Sequence, residues 1–165
     1  MQIKKLTPTA IIPTRGSDGA AGYDLYADSV EVSRNSGVVV DTDDNANQTN
    51  VYISNDAKCV VHTGIAMAIP KGYVGLIFAR SGLACKQGLR PSNCVGVIDE
   101  DYRGEIIVNL HNDPIAGAPA VSQFAIHDRI AQIVFVEYGT FDFDVVDELD
   151  DTERGAGGFG STGKN

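Results

Sequence analysis

Short apolar or alternating runs recur along this chain with turn residues between them. They predict strands at 3–6, 23–27, 37–40, 51–54, 59–63, 73–79, 95–98, 105–111, 121–126, 130–136 and 141–145. The β-branched content of CVVHT, EIIVNL and IAQIVFVEY, with Gly, Pro and Asn as punctuation, favours sheet over helix. One short helix is predicted around 80–87. Many short strands at roughly 8–12-residue spacing point to an all-β sandwich or jelly roll. The expected fold is a single-domain, jelly-roll-like distorted β-barrel with one short helix and a flexible Gly-rich C-terminal arm.

Between two of these runs, residues 41–50 read DTDDNANQTN, polar and turn-rich, an exposed hairpin tip or inserted loop. From Asp147 to Glu153 the chain is acidic, a linker into the tail RGAGGFGSTGKN at 154–165. Five glycines there leave no side chains for a core, so this segment does not fold by burial. Its arginine, phenylalanine, hydroxyls and lysine suit a flap closing over a phosphorylated, flat-ringed ligand. Composition alone equally fits a plain disordered tail.

At 165 residues the chain is one domain with room for a real core. No apolar run approaches the ~18 residues of a membrane span. MQIKKLTPTA has no apolar stretch of a secretion signal. Cys59, Cys85 and Cys94 show no CxxC spacing and cannot all pair, as expected of reduced thiols in a cytoplasmic protein (or a nuclear one in a eukaryote). A net charge of −9 argues against binding a nucleic-acid backbone, which needs a basic face. A small anion remains open, since a few arginines and a metal ion reverse the local potential.

Three segments carry candidate chemistry. RSGLACKQGL at 80–89 follows an apolar strand run. A strand entering a Ser-Gly turn and short helix presents free amides to an anion, with Arg80 as a positive fork. The same residues read as well with Ser81 as an ordinary helix cap and Arg80 in solvent. GVIDEDYRGEI at 96–106 reads as a hairpin with Asp99, Glu100 and Asp101 at its turn. One carboxylate held there could act as a base toward water, or all three could face solvent. GFGSTGK at 158–164 matches the start of a P-loop, but Asn165 stands where the magnesium-binding Ser or Thr is required, which excludes a Walker-type ATPase. His62, His111 and His127 form no zinc-ligand spacing.

Taken in order, AGYDLYA at 21–27, RSGLA at 80–84, GVIDEDYRG at 96–104, RIAQ at 129–132 and RGAGGFGSTG at 154–163 resemble the five motifs of the homotrimeric dUTP pyrophosphatases (dUTPases). The resemblance spans nearly the whole chain. It implies a β-rich dUTPase domain at 1–146 and an acidic linker and lid at 147–165. It further implies hydrolysis of dUTP to dUMP and pyrophosphate with Mg²⁺, which keeps uracil out of DNA and supplies dUMP for thymidylate synthesis. By this resemblance Asp99 is the catalytic carboxylate that activates water toward the α-phosphorus. Asn93 with the hairpin at Gly96 and Val97 reads uracil, and Tyr102 lies under the deoxyribose. Arg80, Ser81, Gly82 and Gln132 hold phosphates, and Asp24 holds magnesium through water. From the tail, Phe159 stacks on uracil while Arg154, Gly160, Ser161 and Thr162 complete the binding set. The implied assembly is a trimer with sites shared between subunits.

The chain departs from the family pattern at Ala79, where proline is usual, and in the length of the 41–56 segment, a possible protein-docking surface. Two alternatives remain. One is a dCTP deaminase-like enzyme of the same fold, for which Glu105 lies near the required glutamate position; the other is a regulatory binding role through 41–56.

Overall fold

The computed structural model describes residues 1–43 and 47–158. Its strands are β1 (Gln2–Lys5), β2 (Thr14–Arg15), β3 (Tyr23–Tyr26), β4 (Ser29–Glu31), β5 (Val38–Asp43), β6 (Gln48–Ser54), β7 (Lys58–Ala68) and β8 (Tyr73–Phe78). After the helix α1 (Ser81–Gln87) come β9 (Leu89–Pro91), β10 (Gly96–Ile98), β11 (Glu105–Asn112), β12 (Val121–Ala125) and β13 (Arg129–Glu137). They form three antiparallel sheets: β1-β7-β11-β9 with β4 also on β7, β10-β8-β13-β3-β2, and β12-β6-β5. This is the expected jelly-roll-like all-β fold, and its sheets do not close into a complete barrel among the described residues.

Alternation along the strands sets which side chains meet. In β6, Val51 and Ile53 are buried; in β11, Ile106, Val108 and Leu110; in β13, Ile130 and Ile133. These join Leu25, Val61, Ile65, Ile77 and Leu89 in one core. Each such aliphatic side chain contributes about 1.5–3 kcal/mol by leaving water.

The structure departs from the sequence expectations at several places, each with a physical reason. β7 runs to Ala68, well past Thr63, because Thr63–Met67 are buried in succession and show no two-residue alternation to read. β2, β4 and β9 are two or three residues long, with too few apolar positions to stand out. The 41–56 segment is largely hairpin: β5 pairs β6 from Val38↔Ile53 to Asp43↔Gln48. The run at 141–145 is not a strand. It pairs with no strand among the described residues, and Phe143 and Val145 are 94% and 100% exposed.

The helix ends on Gly88, whose φ of 77° lies in the left-handed region and whose N–H donates to Ala84 O. A Cβ at Gly88 would also run into the Asp113 carbonyl, which is held close because Asp113 N–H donates to Gly88 O at 2.9 Å. Gly88→Ala is therefore expected to destabilise the protein by more than the roughly 1–2 kcal/mol of the left-handed backbone alone. Thermal unfolding checks this: an unchanged melting temperature would show that the turn relaxes freely.

Candidate active site

The sequence-predicted residues gather into two places on the chain. The first is a cleft of about 420 Å³ lined by Asp24, Phe78, Arg80, Ser81, Gly82 and Gln132, together with the loop at Gly16 and 20–22. Pairing in the second sheet assembles it: Gln132 lies opposite Asp24 on one side and Phe78 on the other. Arg80 precedes α1 in extended conformation (φ −81°, ψ 129°) and Ser81 is the first helical residue. Neither the helix-cap reading of Ser81 nor an Arg80 free in solvent is observed. Arg80 Nε instead lies 3.0 Å from Asp24 Oδ1, and its Nη1 donates to Arg129 O at 3.1 Å.

Arg129 Nη1 reaches the other oxygen of Asp24 at 3.1 Å. One mostly buried carboxylate thus holds two guanidinium groups at the mouth of the cleft, leaving it with local positive charge. Arg129 was not among the residues singled out from the sequence, although it opens the RIAQ run three positions before Gln132. Gln132 Nε2 donates to Ala79 O at 2.9 Å, which ties β13 to the turn entering α1.

The second place is the hairpin after β9. Asn93, Gly96, Val97, Ile98, Ile107 and Asn109 line a cavity of about 390 Å³, together with Ile77, Pro91, Ser92 and Val108. Val97, Ile98 and Ile107 also line a contiguous hollow of about 160 Å³ that contains Asp99, Tyr102 and Glu105. Asp99 therefore stands beside Tyr102 next to the slot above Asn93 and Gly96. Glu100 turns away and accepts the Gly72 N–H, and Arg103 braces the turn from behind by donating to Glu100 O at 2.6 Å. Of the three acids, only Asp99 lines this hollow.

Tyr102 is folded back on its own hairpin, with Oη donating to Glu105 O at 3.0 Å. That pose needs Gly104: a Cβ there would sit 2.6 Å from Tyr102 Cζ. Glu105, the residue nearest the deaminase alternative, has both oxygens occupied. Oε2 lies 2.8 Å from His62 Nδ1, and Oε1 accepts the Gly64 N–H at 2.8 Å.

The two places share no lining residue. Ile77 lines the hairpin cavity and Phe78 lines the arginine cleft. They are consecutive in β8, so their side chains point to opposite faces of the sheet. Arg154 is exposed in the tail, where Nε donates to Gly157 O at 3.0 Å, away from both cavities. Phe159, Gly160, Ser161 and Thr162 lie outside the described residues.

A protein-family model described as dUTPase matches residues 44–163. The chain belongs to the dUTPase family. Among its relatives, the deoxyuridine 5'-triphosphate nucleotidohydrolase of Corynebacterium glutamicum is 41% identical over 165 residues, covering 99% of this chain and 95% of that protein. The enzyme of the same name from Paramecium bursaria Chlorella virus 1 is 41% identical over 163 residues, covering 98% and 96%. Among solved structures, a mutant dUTPase of Staphylococcus bacteriophage 80alpha with dUpNHpp superposes with a TM-score of 0.78 at 27% identity, covering 99% of this chain and 98% of that one. A mutant dUTPase from phage phi11 of S. aureus, described as coordinating a structural Mg(II) ion, gives a TM-score of 0.69 at 25% identity, covering 90% and 97%.

Gly104→Ala provides a direct check on the Tyr102 pose in this family member. The added methyl displaces the far end of a flexible side chain, so the fold should hold and the ring should swing out. The expected result is at least a tenfold fall in kcat/KM for dUTP with a melting temperature within a few degrees of wild type, about 1.4 kcal/mol of transition-state stabilisation. Wild-type kinetics in Gly104→Ala would show that this pose is unimportant.

Proposed function

We propose that the chain hydrolyses dUTP to dUMP and pyrophosphate, in sites built from more than one copy of the chain. Family membership and the relatives named deoxyuridine 5'-triphosphate nucleotidohydrolase support the reaction. The likeness to a phage dUTPase solved with dUpNHpp supports a deoxyuridine nucleotide with three phosphorus atoms as the ligand. The observation that carries the shared site is the placement of the arginine cleft and the Asp99 hairpin on opposite faces of β8. A nucleotide whose base sits at one cannot reach the other with its phosphates on the same subunit. Two copies brought face to face bring the halves together, and threefold closure lets every half find a partner.

In this reading Asn93 and the β10 backbone at Gly96 and Val97 take the uracil edge, in a slot too narrow for a methyl group at C5. Tyr102 packs under the sugar at C2′. Asp99 holds a water in line with the α-phosphorus and accepts its proton as the new P–O bond forms and pyrophosphate leaves. A carboxylate is a weak base, so most of the acceleration comes from holding that water in place. A neighbouring copy supplies Arg80, the Ser81 and Gly82 amides at the start of α1, and Gln132 to the phosphates. The tail closes with Phe159 over uracil and Arg154, Gly160, Ser161 and Thr162 around the far end of the triphosphate, shutting out bulk water.

The described residues contain no group of three or more His, Cys, Asp and Glu that could hold a metal ion by itself. Asp24 offers one carboxylate whose oxygens each take a guanidinium N–H. That donor set fits a Mg²⁺ ion whose inner ligands are phosphate oxygens and water, with Asp24 accepting from a bound water. When bound, the ion neutralises part of the triphosphate charge. The chain belongs in the cytoplasm, or in the nucleus of a eukaryote, and no helix among the described residues is long and apolar enough to cross a membrane. Among the described residues β5 lies at the edge of its sheet, and the 41–56 segment is the place for a protein partner.

Asp99→Asn should abolish nearly all turnover and keep nucleotide affinity, since the amide matches the shape but cannot take the proton. A variant retaining more than about a tenth of wild-type kcat, a loss of only ~1.4 kcal/mol, would show that Asp99 is not the base. Sharing between copies is tested by co-expressing Asp99→Asn chains bearing the full tail with Asp99 chains cut before Arg154. Each parent should be nearly inactive and the mixed oligomers partly active. Mixed oligomers that form and stay inactive would show that each tail closes over its own Asp99.

A further inference from the structure

His62 stands in the middle of β7, with Ser29 of β4 opposite on one side and Ile107 of β11 on the other. Its ring bridges these two neighbours. Nδ1 is 2.8 Å from Glu105 Oε2, and Nε2 is 3.1 Å from Glu31 Oε1. Ionised carboxylates only accept hydrogen bonds, so both contacts are satisfied only when both ring nitrogens carry hydrogen. A neutral ring has one N–H and must give up a partner. The Glu31 side chain is 65% exposed and free to turn to water, whereas that of Glu105 is 22% exposed and also held by the Gly64 N–H.

Glu105 sits where the β7–β11 ladder breaks register, between Glu105 and Ile107. There its carboxylate takes the Gly64 N–H, standing in for a ladder bond. Thr63 Oγ1 likewise donates to the main-chain oxygen of Ile106 at 2.5 Å. Glu105 also presents its main-chain oxygen to Tyr102 Oη and lines the hollow that holds Asp99 and Tyr102. Beside the pair Glu105↔Ala66, the hairpin end that carries Tyr102 is thus fastened to β7 across the irregularity by side chains.

We propose that Glu105, fastened by His62, is a positioning residue that holds Tyr102 against the sugar and so sets the discrimination between dUTP and UTP. This rests on the dUTP reading above and on the place of Tyr102 in it. The charged groups facing the ring are Glu31 from β4 and Glu105 from β11. Asp28, whose N–H donates to His62 O, turns its own carboxylate to the Thr7 hydroxyl at 2.8 Å. The hydrogen bond to Glu105 raises the His62 pKa above the usual histidine value of 6.5; burial opposes it, and the hydrogen bond to Glu31 adds to the rise. Below pH 6.5 the charged ring holds both carboxylates; as pH rises through the raised value the Glu31 contact is given up and the bond to Glu105 passes from charge-assisted to neutral, so the fastening weakens.

The test measures kcat and KM for dUTP and UTP by pyrophosphate release between pH 5.5 and 9, in wild type and in His62→Gln, Glu105→Gln and Glu31→Gln. Groups that act on the shared triphosphate cancel in the ratio of the two kcat/KM values. In wild type that ratio should fall at least threefold as pH rises above 6.5. In His62→Gln it should be low and flat with pH, and in Glu105→Gln at least fivefold below wild type at pH 6. Glu31→Gln removes an exposed carboxylate outside the hairpin, so it should keep the ratio at low pH and move its fall to lower pH. A ratio that follows the same pH curve in wild type, His62→Gln and Glu31→Gln overturns the inference even if Glu105→Gln fails to fold. A wild type that releases no pyrophosphate from dUTP at any pH overturns the functional reading instead.

Discussion

Strand β7 is the member on which the rest of the molecule is hung. It pairs with β1, β4 and β11, and from Thr63 to Met67 its side chains are buried one after another. A strand covered on both faces cannot slide by one residue without moving apolar groups into water, so its register is strongly fixed. That rigidity passes to β11 and so to the hairpin carrying Asp99. Where the ladder is irregular, between Glu105 and Ile107, polar side chains add to backbone pairing. Regular packing holds the core, and specific side-chain contacts brace the base of the hairpin.

Electrostatics in the arginine cleft work against the protein's overall charge. The chain carries −9, yet Arg80 and Arg129 are drawn together over the single carboxylate of Asp24. Without that carboxylate the two cations would repel at short range and lean apart into solvent. Asp24 keeps them aimed at one point before any anion arrives, so under the proposed function little reorganisation would be needed for a phosphate there. A small, ordered region of positive potential then serves where the chain as a whole is acidic.

Much of this was legible in the sequence. The strand runs with clear alternation, at β6, β11 and β13, fell where the pattern placed them, and the helix after Arg80 spans Ser81–Gln87. The second half of β7 was not legible because burial on both faces removes the two-residue period. β2, β4 and β9 were too short to leave a pattern. The motif segments led to residues that line two cavities, but their division between two faces of β8 is a property of pairing order that no local reading contains. Arg129 and His62 were missed for a related reason: each acts through a partner distant in sequence, Asp24 for the one and Glu105 for the other.

The arm at 141–146 has a consequence for the life of the newly made chain. Phe141, Phe143 and Val145 stand in water, spaced like one face of a strand, a pattern that invites like segments to stack edge to edge. Asp142 and Asp144 fall between them, and the acidic stretch from Asp147 follows directly. In a stack of identical arms those carboxylates would lie above one another and repel, so they act as gatekeepers against self-association.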